Sequence, residues 1–352
     1  MIERFKESLK HDPDDLDSWV NLGDAYYDKD DYENAIRSYK KALEINPYYS
    51  EIWNNLGLSY SMKGELDNAI ESYFHALKLD PEDAVVYYNI ACAYEEKEEY
   101  DRALEFYENS LEFDPSYTDA LNNMAILYRD LNQHENAIRS YEKAIKINPD
   151  DPILYNNLAS IYFDLKDFKK AIIYNKKSLE LAPNNPDLWF DFGEIAFETE
   201  KYDIAIDSFL RALELDPYLF KAYNYLGLCF LFKENYYKAI NSFYKALSLK
   251  NNDPVLFENL GFTYELLKDY SQALKYYYKA LDLSPEFRSA LKKVALIHYQ
   301  QGNFTNAALY FEKLFHLNPA RQYIVDKLIS CYKELKDFEN VEKWSKIKSN
   351  QQ

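Results

Sequence analysis

SEIWNNLGLSYSMKG, residues 50–64, and LDNAIESYFHALKLD, residues 66–80, decide the fold. In both stretches apolar residues recur at i, i+3, i+4 and i+7, the spacing of a helix with one buried face. Gly64 between them and Pro81 after them interrupt the pattern, so the pair reads as helix, turn, helix, stop. Neither helix has anything within the pair large enough to cover its apolar face. A neighbour must bury it.

That neighbour is another copy of the same unit. Proline recurs at Pro13, Pro47, Pro81, Pro115, Pro149, Pro183, Pro217, Pro285 and Pro319, always in steps of 34 residues, with Asn251 in the one missed place. Ala35, Ala69, Ala103, Ala137, Ala171, Ala205, Ala239, Ala273 and Ala307 fill a second column. Trp19, Trp53, Tyr87, Tyr155, Trp189, Tyr223 and Phe257 fill a third. Counting from Leu16, nine units run in register from 16–49 to 288–321, preceded by a half unit at 1–15 and followed by a degenerate unit and cap at 322–352. Small residues at positions 8 and 20 of each unit let two antiparallel helices approach, and aromatics at 4, 11, 17 and 24 fill the space between units. The expected fold is an all-α solenoid.

The columns Trp53, Leu56, Gly57, Tyr60, Ala69, Tyr73 and Pro81 match W-x₂-L-G-x₂-Y, A-x₃-F and P, so the chain resembles the tetratricopeptide repeat family over essentially its whole length. The resemblance implies a right-handed superhelix whose first helices line a concave inner surface.

Composition narrows the functions. The chain of 352 residues has a formal net charge of −18, which argues against a nucleic-acid partner and favours a basic polypeptide. The longest apolar run, YLGLCFLF (225–232), is too short to span a membrane, and MIERFKESLKHDPDD shows no leader-like apolar segment, so a cytoplasmic location is expected. All seven glycines have places in the repeat, leaving none for a phosphate-binding loop. The five histidines never stand four apart, and Cys92, Cys229 and Cys331 occupy packing positions. No catalytic, cofactor or metal constellation emerges, and the chain reads as a non-enzymatic scaffold.

Helical geometry places positions 2, 6, 9 and 13 of each first helix on one stripe, opposite the packing residues. Position 6 reads Asn21, Asn55, Asn89, Asn123, Asn157, Asp191, Tyr225 and Asn259. This row resembles the asparagine ladder of the O-linked N-acetylglucosamine transferase superhelix, which implies binding of an extended peptide through its backbone. An amide suits that role because it offers a donor and an acceptor together. Acids including Asp24 and Asp130 line repeats 1–6, whereas Leu228, Phe232 and Phe262 line repeats 7–9. The expected ligand therefore carries basic residues at one end and apolar anchors at the other. Repeat proteins that clamp a chaperone's terminal carboxylate need Lys at position 5 and Asn at 9, but here those places hold Val20 and Asp24, Asn54 and Leu58, Tyr88 and Cys92. The competing expectations are a folded partner or self-association through the convex face or the ends, or service as the adaptor subunit of a separate enzyme.

Overall fold

The computed structural model describes residues 1–317 and 322–349; Pro319 and the close of the ninth repeat fall outside them. The described residues form helices joined by short turns, in two compact units, Met1–Leu181 and Ala182–Gln352. The first unit holds α1 (Ile2–His11), α2 (Leu16–Tyr27), α3 (Tyr32–Ile45), α4 (Ser50–Met62), α5 (Leu66–Leu79), α6 (Ala84–Glu96), α7 (Tyr100–Phe113), α8 (Thr118–Asp130), α9 (His134–Ile147), α10 (Pro152–Asp164) and α11 (Phe168–Leu181). The second holds α12 (Pro186–Glu198), α13 (Tyr202–Leu215), α14 (Phe220–Phe232), α15 (Tyr236–Leu249), α16 (Pro254–Leu266), α17 (Tyr270–Leu283), α18 (Arg288–Gln300), α19 (Phe304–Leu317), α20 (Gln322–Glu334) and α21 (Phe338–Ser349).

Local chemistry sets the ends of these helices. Asp15, Asp83, Asp151, Asn185 and Asp253 cap first helices by accepting backbone N–H groups that have no partner inside the helix. Pro152, Pro186 and Pro254 occupy first positions, where a missing N–H costs nothing. Each repeat then turns through one residue with positive φ. Gly64 and Gly302 do this without strain, but Asp30, Glu98, Asn132, Lys166, Glu200, Glu234, Lys268 and Lys336 do it with a Cβ.

The core repeats with the sequence. In the first unit Tyr39, Tyr73, Tyr107 and Tyr141 from position 24 are buried, as are Phe209, Phe243, Tyr277 and Phe311 in the second. A Cβ on Gly57 would lie 2.4 Å from the Tyr73 ring, which is why the first helix can come so close there. Asn175, the one amide at position 24, is fully buried and donates to Asn156 at 3.3 Å. Consecutive repeats are also tied by a polar contact: the indoles of Trp19, Trp53 and Trp189 donate to the carbonyls of Pro13, Pro47 and Pro183 at 2.8, 2.9 and 2.8 Å. Where the aromatic column holds tryptophan, it and the preceding proline are two ends of one hydrogen bond. At the C-terminus Trp344 is buried with its ring edge-on to Phe315 at 4.9 Å, beneath exposed Ser345 and a Lys348–Asp326 ion pair.

Candidate functional site

The position-6 amides stand half-buried along the first helices, except Asn21, which is exposed and donates to the Asp17 carbonyl of its own helix. From α6 onward the amides of the first unit reach the preceding repeat. Asn89 donates to Asn54 Oδ1 at 2.8 Å, Asn123 to the Tyr88 hydroxyl at 2.9 Å and Asn157 to Asn122 Oδ1 at 3.1 Å, each across 35 residues. In the second unit Asn259 meets Asn224 Oδ1 in the same way at 2.9 Å. Each is a rung joining position 6 of one repeat to position 5 of the repeat before. Asn55 lacks this contact because position 5 before it is Val20.

The rungs spend one half of each amide. Among the described residues the Asn89 and Asn259 carbonyl oxygens, and the Asn54 and Asn224 amino groups, have no hydrogen-bond partner. The Asn89–Asn54 and Asn259–Asn224 rungs therefore each keep one acceptor and one donor for a ligand, whereas the Asn122 amino group already donates to Asn123 Oδ1 at 3.3 Å.

Asn55 instead helps line a pocket of about 180 Å³ with Asp24, Tyr27, Asp28, Tyr39 and Leu58. Asp24 accepts from the Tyr39 hydroxyl at 2.6 Å, and burial followed by this bond pushes the Tyr39 hydroxyl far above its ordinary pKa. Tyr107 and Tyr277 make the equivalent bonds to Glu95 and Glu265 at 2.7 and 2.6 Å, so position 12 shares the task with position 9. Asp130 is exposed beside Arg129, 3.5 Å away.

The second unit lines its own first-helix face differently. Tyr225, at position 6, packs edge-on against Phe190 at 5.7 Å, an aromatic version of the rung. Leu228 and Phe262 are half-buried, while Phe232 is 57% exposed and stacks on Tyr202 at 5.3 Å. Lys293 places its ammonium 4.4 Å from the centre of the Phe262 ring and 3.2 Å from Glu265.

Burial raises the thiols of Cys92, of Cys229 to about 12 and of Cys331 to about 11, which suits packing rather than attack on a substrate. Among the described residues no group of three or more His, Cys, Asp or Glu is placed to hold a metal, and no helix is long and apolar enough to cross a membrane.

Two contributors lie outside the stripe of positions 2, 6, 9 and 13. Position 5 supplies the rung partners Asn54, Tyr88, Asn122, Phe190 and Asn224, and position 12 supplies Glu95, Phe197 and Glu265. Position 5 holds Asn54, Asn122, Asn156 and Asn224, fewer amides than position 6 but more than chance, and that enrichment was the available signal.

The chain matches models described as tetratricopeptide repeat at residues 50–83, 84–117, 152–185 and 255–287, at 106–139 and at 190–254, and one described as TPR repeat at 23–64 and 125–166. No curated protein matches its sequence. Among solved structures it is similar to a tetratricopeptide repeat protein from Parabacteroides merdae ATCC 43184, with 22% identity over 70% of this chain and 98% of that one and a TM-score of 0.53. It is similar to the Cut9–Hcn1 hetero-tetramer of APC/C, with 21% identity over 81% of this chain and 56% of that one and a TM-score of 0.53. MamA is 31% identical over 46% of this chain and 94% of its own, with a TM-score of 0.43. The family models together cover most of the chain, which therefore belongs to the tetratricopeptide repeat family, whose members are generally non-catalytic scaffolds for protein–protein interaction.

Proposed function

We propose that the first-helix face binds an extended segment of a partner protein, its backbone held by asparagine side chains and its basic residues by the acids of the lining. The observation that carries this reading is the rung. Amide pairs joining one first helix to the next, Asn89 with Asn54 and Asn259 with Asn224, each offer a carbonyl and an amino group, matching the C=O and N–H of a strand-like peptide. The pocket of about 180 Å³ beside Asp24 and Asn55 is large enough to take one side chain, and its two carboxylates select a cation. Cytoplasmic location remains part of this proposal.

Docking of a folded partner, or of a second copy, through the convex face or an end of the array is the second reading. It is favoured by a groove of about 640 Å³ between α1, α2 and α3, floored by Leu9, Trp19 and Leu22 and rimmed by Lys6, Lys10 and Arg37.

The test uses an array of flexible twelve-residue peptides read by fluorescence anisotropy, with the wild-type chain and the triple variant Asn55→Ala, Asn89→Ala, Asn123→Ala. Each amide contributes roughly 0.5–1.5 kcal/mol, so the triple variant should bind at least about tenfold more weakly while keeping its helical circular dichroism. Basic peptides should also lose affinity as salt rises to physiological strength. Unchanged affinity in a folded triple variant would reject the groove and turn attention to the convex face and the ends.

A further inference from the structure

Where α12 and α14 meet, aromatic rings and carboxylates share one patch of the first-helix face. Tyr225 is enclosed by Phe197 edge-on at 5.3 Å and by Phe209 stacked at 5.4 Å. Phe197 continues to Phe232 at 5.8 Å, whose ring is open to solvent. Glu194 and Glu198 lie one turn apart on α12, four residues from each other and so on one side of the helix. Glu194 is half-buried, and the Tyr225 hydroxyl stands near enough to its carboxyl for each to move the other's titration. Among the described residues neither Glu194 nor Glu198 has an ion-pair partner; Lys221 acts on Glu194 only through its field.

A carboxylate withdrawn from water beside ring faces is costly unless a cation completes it. The same face shows what completion looks like. At α16 and α18 the chain supplies its own cation: Lys293 sits over the Phe262 ring and against Glu265. At α12 and α14 the rings and the acids are present, and among the described residues no cation is seated on them.

We propose that Phe197, Tyr225 and Phe232, with Glu194 and Glu198, form a pocket for a basic side chain, arginine or lysine, of the extended partner segment. This rests on the groove reading for the partner's identity but not for the pocket's chemistry. Ring quadrupoles attract the cation, the two carboxylates complement its charge, and Phe232 packs against its methylene stem. The pocket fixes which residue of the segment lies at this repeat, and so sets register where backbone bonds alone would let the segment slide.

The experiment titrates the full chain, with labelled phenylalanine and tyrosine rings, with N-acetyl-arginine amide and with its uncharged isostere N-acetyl-citrulline amide. The arginine compound should shift the Phe197, Tyr225 and Phe232 resonances saturably, and the citrulline compound should not. Phe232→Leu, and separately Glu194→Gln with Glu198→Gln, should each weaken arginine binding about two- to fivefold. Equal shifts from citrulline, or unchanged binding in the carboxamide variant, would overturn the pocket. Shifts of these rings with protein concentration alone would overturn it too, by assigning the patch to a second copy of the chain. The triple asparagine variant should leave this titration unchanged. A failed groove and a failed pocket are therefore distinguishable.

Discussion

The two units carry one scaffold and two linings. In the first, Asn89, Asn123 and Asn157 cross to the preceding repeat by hydrogen bonds; in the second, Asn259 keeps one such bond to Asn224, but Tyr225 makes the equivalent crossing by packing on Phe190. The spacing is the same 35 residues in both, because stacking of the first helices brings position 6 against position 5 whatever occupies them. Geometry therefore sets where contacts fall, and residue choice sets what they do. An amide rung leaves polar groups facing outward and adds little net stability, since its bonds replace bonds to water. An aromatic rung excludes water, adds stability through buried area, and makes a neighbouring charge such as Glu194 costly.

The largest expected effect tests that contrast directly. Tyr225→Ala should cost about 2–4 kcal/mol, because truncating the ring opens a void among Phe190, Phe197 and Phe209. Asn123→Ala should cost about 1 kcal/mol, the net value of one bond to Tyr88. Hydrogen exchange read separately on α12–α14 and on α6–α8 gives each figure in its own unit. If the two losses come out equal, the amide rungs are structural ties rather than ligand groups held in place, and the comparison collapses.

The repeat itself was legible because its constraints are local. A proline every 34 residues ends a helix wherever it falls, and the alanine column marks the close approach of each pair. The turns were less legible. Gly64 and Gly302 announced a left-handed residue, yet Glu98, Lys166 and Glu234 adopt the same backbone without any such signal, because the stacked pair imposes it. The rungs were half legible: the asparagine row was visible, but its partners at position 5 lie a full repeat away. Phe197 was missed for the same reason, since it joins the site only through Tyr225 and Phe232.

A smaller effect separates the linings by pH, because half-buried Glu194 and buried His298 in the second unit act with opposite sign. Burial raises the Glu194 carboxyl above 4.5, opposed by the Tyr225 hydroxyl and Lys221 and helped by Asp191 and Glu198. The folded unit therefore holds its proton at a pH where the unfolded chain has released it. Stability from this group is present at low pH and is lost as pH rises through the folded pKa. Burial lowers His298 below 6.5, and its ring instead meets the Tyr278 hydroxyl at 2.7 Å. That contribution is intact above about 6.5 and is lost as pH falls toward the folded value. Thermal melts from pH 7 to 5 should show Glu194→Gln more stable than wild type at pH 7, with the gap closing in acid. His298→Tyr should flatten the acid loss. A Glu194→Gln variant that is less stable at pH 7 would mean the carboxylate supports the fold instead of waiting for a cation.

The smallest effect is a control that should not distinguish the units at all. Glu98 in the first and Glu234 in the second have φ near 60°, a conformation that crowds the Cβ against the backbone, and both side chains are exposed. Glycine removes that crowding but loses more freedom on folding, so Glu98→Gly and Glu234→Gly should each stabilise by a net of about 0.5–1 kcal/mol. Gly64→Ala, at φ +79°, should lose a similar amount. Chemical denaturation of each variant gives the three values. Equal gains at Glu98 and Glu234 would show that the turns are interchangeable parts, leaving residue choice on the first-helix face as the source of the difference between the units. A gain in one unit and a loss in the other would instead mean that the backbone of the repeat differs between them, and that the aromatic rung follows from a changed frame rather than from substitution within a constant one.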